Sequence, residues 1–225
     1  MRRIVFVWLL AASSAFAGEP NTLSKDEIAA GWQLLFDGKS MTHWRALGKE
    51  SFPQHGWVIE DSCLKKQAKV IGGDLITREK FTDFDFQWEW RISTNGNNGI
   101  KYFVSENPRT PGHEYQLLDD KRTRNEKSST GAFYTIIAPR ADKPLKPPGQ
   151  WNHSRIVVKG NHVEHWLNGM KIVEYECGSD VVKLGAADSK YKNVKDYGNK
   201  VPNSHILLTD HRDETWFRNL KIRRL

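Results

Sequence analysis

Cysteine is scarce, with Cys63 and Cys177 the two in 225 residues. Two cysteines cannot staple a disulfide scaffold, so stability must come from a packed core. Whether they bond to each other is left open by the sequence. No apolar run is long enough to span a membrane as a helix. There is no G-x-S-x-G elbow, no H-E-x-x-H helix motif and no reactive-type cysteine setting, which removes the commonest hydrolase signatures. Asn95-Gly96-Asn97-Asn98-Gly99 is a turn before a strand, not a phosphate loop. Internal repeats and Gly/Ser linkers are absent, so one domain is expected.

The N-terminus has the form of an export signal. Arg2 and Arg3 precede the apolar run Ile4 to Leu10, and small residues end at Ala15-Phe16-Ala17. This predicts a signal peptide over 1–17 and a secreted or periplasmic mature chain. Loss of Arg2 and Arg3 lowers the positive excess from 7 to 5. The remaining basic residues are scattered and not interleaved with aromatics, so nucleic acid is not an expected partner.

Aromatic residues are plentiful at 11%, enough apolar surface for an ordered core. Residues 18–29 form a lead-in with one short helix, where Ser24 and Glu27 are spaced as a capping box. The rest, 30–225, reads with a period of two. Phe84, Phe86, Trp88, Trp90 and Ile92 alternate with polar residues. Similar runs cover 100–104, 113–118, 154–159, 163–167, 171–175, 206–209 and 215–223. Asn168-Gly169 and Gly160-Asn161 mark tight turns. With no long helical segment to make parallel crossovers, the fold class is all-β, an antiparallel sandwich or jelly roll. Polar stretches at 120–130, 138–149 and 178–203 read as long loops that rim a cleft.

The strand Glu114-Tyr115-Gln116-Leu117-Leu118-Asp119 places Glu114 and Gln116 on one face. Asp119 joins that face only if a bulge shifts the register. Paired carboxylates at such spacing suit acid–base chemistry on glycosides. Lys101 is an unexpected cation within an aromatic strand. His165 and His211 are candidate proton carriers, or ligands of a divalent metal together with Glu114. Their spacing matches no compact zinc motif.

Several segments together resemble a known family. Gly31-Trp32-Gln33-Leu34-Leu35-Phe36-Asp37-Gly38 with Trp44, Asn98-Gly99-Ile100-Lys101-Tyr102-Phe103, Glu114 to Asp119, Gly131-Ala132-Phe133-Tyr134 and Pro148-Gly149-Gln150-Trp151-Asn152 occur in order. His165-Trp166-Leu167-Asn168-Gly169 and Asp210-His211, leading into Phe217 to Ile222, close the series. The pattern is similar to the 3-keto-disaccharide hydrolase-like domain over residues 30–225. The chain departs from the pattern at three positions and over the segment 120–130. Asn98 stands where the family commonly has Ser, and Thr209 and Arg212 replace a Gln and a Gly around Asp210-His211.

The resemblance implies a concanavalin-like β-sandwich with a concave polar face. It also implies exported bacterial enzymes whose carbohydrate substrates are glycosides already oxidised to a ketone at C3. A C3 ketone acidifies the C2 hydrogen, so a base can remove it, the C1 substituent can leave, and water can add back. The implied site uses Glu114 and His165 as base and acid in either order, and Lys101 to stabilise the enolate. Asn98, Gln116 and Asp119 would orient hydroxyls, and Tyr134 and Trp166 would stack on the sugar. His211 is a second proton-transfer candidate or a ligand of a divalent metal. The competing expectation is a non-catalytic carbohydrate-binding module of the same fold.

Overall fold

The computed structural model describes residues 19–107 and 110–225. The expected signal peptide, residues 1–17, lies outside the described residues. The chain enters through a five-residue helix, α1 (Lys25–Ala29), capped as its sequence suggests. Glu27 N–H donates to Ser24 Oγ, and Ser24 N–H donates to the Glu27 carboxylate.

Thirteen strands follow among the described residues. They are β1 (Trp32–Leu34), β2 (Trp44–Ala46), β3 (Trp57–Glu60), β4 (Cys63–Lys66), β5 (Leu75–Thr77), β6 (Phe84–Ile92) and β7 (Asn97–Val104). After them come β8 (His113–Leu118), β9 (Asn152–Lys159), β10 (His162–Leu167), β11 (Met170–Glu176), β12 (His205–Leu208) and β13 (Thr215–Arg224). The larger sheet runs β11-β10-β9-β6-β13-β4-β3, with β1 also pairing to β13; the smaller runs β2-β5-β12-β7-β8. The strand pairs are antiparallel, so the fold is the expected β-sandwich.

The apolar halves of the alternating strands meet between the sheets. Phe84, Phe86, Trp88, Trp90 and Ile92 are all buried on β6, facing Ile100, Tyr102 and Tyr115 of the smaller sheet. Trp90 Nε1 donates to Ser154 Oγ at 2.9 Å, which gives the buried indole its polar partner. The β10–β11 hairpin turns at Asn168 (φ 47°) and Gly169 (φ 86°), both left-handed as a type I′ turn requires.

Two features depart from the sequence reading. Five short strands, β1 to β5, lie before residue 80, where three or four residues give too little alternation to detect. The stretch 178–203 contains a helix, α2 (Asp180–Ala187), whose Val182 and Ala186 are four apart and buried together. Cys63 and Cys177 are free thiols, and burial pushes the Cys177 thiol up to about 12.

Candidate active site

The outer face of the smaller sheet is set by register. Arg45, Ile76, Leu207, Lys101 and Glu114 stand opposite one another from β2 to β8, so their side chains share one face. Glu114 ends this row on the edge strand. Its side chain is 3% exposed, with Lys101 Nζ 3.9 Å from Oε2 and His211 Nε2 4.0 Å from Oε1. Both separations exceed hydrogen-bond length, so neither neighbour occupies the oxygen it faces.

Gly99 makes this placement possible. A Cβ there would collide with Glu114 Oε1, so the carboxylate lies over bare backbone on the neighbouring strand. Gln116, opposite Gly99, shares the face and donates to Asn97 Oδ1 at 3.0 Å. Tyr134 is held beside this strand, its backbone N–H donating to the Glu114 main-chain carbonyl at 3.0 Å. Burial, and then the Glu114 charge, raise the Tyr134 phenol above its ordinary value, so it stays protonated.

His211 is held by a buried support. Asp210 accepts from Gly72 N–H, Gly73 N–H and Arg212 N–H, and lies 3.0 Å from Lys66 Nζ. Burial raises the Asp210 pKa, but these hydrogen bonds outweigh that and hold it below the usual carboxylate range. Lys66 is fully buried and also donates to the carbonyls of Gln67 and Val70. Lys66→Met should lower stability by about 3 kcal/mol, because Asp210 would keep its charge without its cation. Urea unfolding measures this; a change below about 1 kcal/mol would show that the backbone donors suffice alone.

The sequence-derived residues therefore divide. Glu114, Lys101, His211, Gln116 and Tyr134 come together. His165 does not: it is fully buried between the sheets, with Nε2 2.7 Å from Tyr102 Oη and Nδ1 2.9 Å from Gly131 O. Burial pushes it down to about 4, and both ring nitrogens are engaged in the core. Trp166, next to it on β10, points to the outside of the larger sheet, where Arg155 covers its ring and Glu164 accepts from its indole. Asn98 faces inward, with its Oδ1 accepting from Gly99 N–H and Thr209 Oγ1. Asp119 accepts from Asn95 N–H and Lys121 N–H and shapes a loop.

The sequence reading missed Lys190. Its Nζ lies 4.5 Å from the Tyr134 ring centre and 5.0 Å from that of Tyr191. Burial lowers its pKa, while the Glu114 charge opposes that shift. It belongs to the polar 178–203 segment, where no periodicity marks which side chain turns inward.

Among the described residues, His162, Glu164 and Glu174 offer candidate ligand atoms within 4.8 Å of one another. They sit on the outside of the larger sheet, and Lys171 already bridges the two carboxylates. Glu114 and His211 offer two ligand atoms beside the Lys101 charge, short of the three protein ligands typical of a catalytic zinc.

The sequence profile of the 3-keto-alpha-glucoside-1,2-lyase-like domain matches residues 31–223. The chain belongs to that family. A 3-keto-disaccharide hydrolase of Bacteroides thetaiotaomicron is 29% identical over 247 aligned residues, covering 94% of this chain and 84% of the relative. A Parabacteroides distasonis structure, provisionally named a glycosyl hydrolase, superposes with a TM-score of 0.82 at 32% identity, covering 92% of this chain and 100% of that one. A carbohydrate-binding module from Bacillus subtilis shares the fold alone, with a TM-score of 0.50 at 10% identity over 80% of this chain and 95% of the module. Among the described residues, no helix is long and apolar enough to cross a membrane.

Proposed function

We propose that this protein is an exported enzyme that cleaves 3-keto-glycosides by removing the C2 proton, expelling the C1 substituent and adding water. The observation that carries this reading is the meeting of Lys101, Glu114 and His211 on one sheet face, beside Tyr134. The family and the Bacteroides relative support the substrate class.

Each step has a residue to serve it. Glu114 takes the C2 proton, and the C–H electron pair becomes a C2–C3 enolate with its charge on the C3 oxygen. Lys101, the cation beside Glu114, stabilises that charge as it forms. Collapse of the enolate restores the C3 ketone, makes a C1–C2 double bond and breaks the C1–O bond. His211 protonates the departing oxygen. Water then adds to C1, and a proton returns to C2. His211 takes the acid role because it stands at the carboxylate and is partly exposed, whereas His165 is enclosed in the core.

The mature protein incubated with a 3-keto-glucoside, with and without a chelator, should release the aglycone. Retained sugar binding without release in either arm would make it a binding module instead. Release abolished by the chelator would assign the Lys101 role to a metal.

A further inference from the structure

Lys190 is a cation without a counter-ion. Among the described residues its ammonium makes no hydrogen bond and no ion pair. It rests instead on two phenol rings, 4.5 Å from the centre of Tyr134 and 5.0 Å from that of Tyr191. Cation–π contacts of this kind hold a position without consuming N–H donors, so all three remain to offer. The residue is open to solvent, so a ligand can reach it.

The backbone fixes where this ammonium can go. Ser189 and Tyr191, on either side of it, are buried. Ser189 Oγ donates to Ala186 O at 2.8 Å and accepts from Tyr191 N–H at 3.0 Å, which closes a tight turn after α2. The Tyr191 ring stacks on Tyr197 with centres 4.1 Å apart. Tyr134 is anchored from β8, through its N–H to the Glu114 main-chain carbonyl. The three side chains that meet here, Tyr134, Tyr191 and Lys190, all feel the Glu114 charge, and Lys101 repels Lys190. Two lysines therefore share the field of one carboxylate, and Lys101, at 3.9 Å, is the one close enough to pair with it.

We propose that Lys190 is a second catalytic cation of the reacting centre, donating to the C3 oxygen of the sugar as that oxygen gains charge. The inference rests on the proposed function and adds a residue to it. Removal of the C2 proton moves one negative charge from Glu114 onto the sugar. A cation beside the carboxylate, such as Lys101, favours the charged base before the transfer as well as the enolate after it. Only the difference between those two interactions accelerates the step. Lys190 makes no ion pair with Glu114, so it has less to lose and gains as the charge moves. Its fixed seat on two rings means that little reorganisation is needed when the enolate forms. Lys101 from β7 and Lys190 from the turn after α2 then hold one oxygen between them.

Steady-state release from a 3-keto-glucoside by Lys190→Met and Lys190→Arg tests this. Losing one such donor typically costs about 10²–10³-fold in kcat, so Lys190→Met should fall by about that factor with KM within a few-fold of the parent value. Incorporation of solvent deuterium at C2 should slow in parallel, because proton removal is the step affected. Lys190→Arg keeps the charge and should recover most of the loss, and the urea midpoint of Lys190→Met should stay at the parent value. A kcat within about threefold of the parent in Lys190→Met would overturn the inference and leave Lys190 a surface cation on two rings. A raised KM with unchanged kcat would overturn it too, by limiting Lys190 to ground-state binding. So would equal losses in both variants with a lowered urea midpoint, which would make its role structural. Absence of release by the parent protein would instead overturn the proposed function, and this inference with it.

Discussion

Glu114→Gln is expected to slow aglycone release from a 3-keto-glucoside by roughly several hundredfold or more, with KM little changed. Glutamine fills the same space over Gly99 and keeps hydrogen-bonding capacity, but its amide cannot take a proton from carbon. General-base assistance typically contributes about 10²–10⁴-fold, so the loss should fall on kcat. Glu114 faces Lys101 and His211 at 3.9 and 4.0 Å, so its replacement also removes the charge that orients both. Steady-state release by the purified variant measures this. A rate within a few-fold of the parent protein would remove Glu114 from the base role. The enclosed environment of Tyr191 and Tyr197, both raised by burial, keeps neighbouring phenols protonated and unable to replace it.

The second large effect is acid sensitivity. His113 and His165 are pushed down by burial to about 3 and 4, whereas an unfolded histidine titrates near 6.5. Below that value the unfolded chain binds protons that the folded chain refuses, so stability falls as pH drops from about 6.5 toward 4. Each histidine contributes up to about 1.4 kcal/mol per pH unit in that window, and the two together about 2.7. His153 and His205 are lowered by burial as well and act in the same direction. Carboxylates held low by partners, such as Glu27 and Asp210, add their own loss only below about pH 4.5. Urea unfolding at pH 7, 6 and 5 should therefore show a marked decline before any carboxylate titrates. A flat profile between pH 6.5 and 5 would mean that the imidazoles are accessible to protons in the folded protein.

Much of this architecture was legible in the sequence because alternation is a local signal. The nine residues of β6 give their burial pattern directly, and Asn168-Gly169 specifies its turn. Parity also held information that chemistry obscured. Val163, His165 and Leu167 share a face, so His165 had to point into the core and Trp166 outward. Likewise Asn98 shares a face with Ile100 and Tyr102. What could not be read was contact between distant segments. Lys66 and Asp210 meet across the fold, and nothing near Lys66 announces a buried cation. Glu114 and Lys101 become opposite partners only through strand register, and His211 reaches them from the loop after β12. Lys190 arrives from a segment without periodicity.

The central claim is removal of the proton at C2, and solvent deuterium tests it most directly. Cleavage of a 3-keto-glucoside in D₂O, stopped early and compared with an enzyme-free control, should release 3-keto-glucose carrying deuterium at C2. Full aglycone release with hydrogen retained at C2 would contradict the account and point to direct displacement at C1.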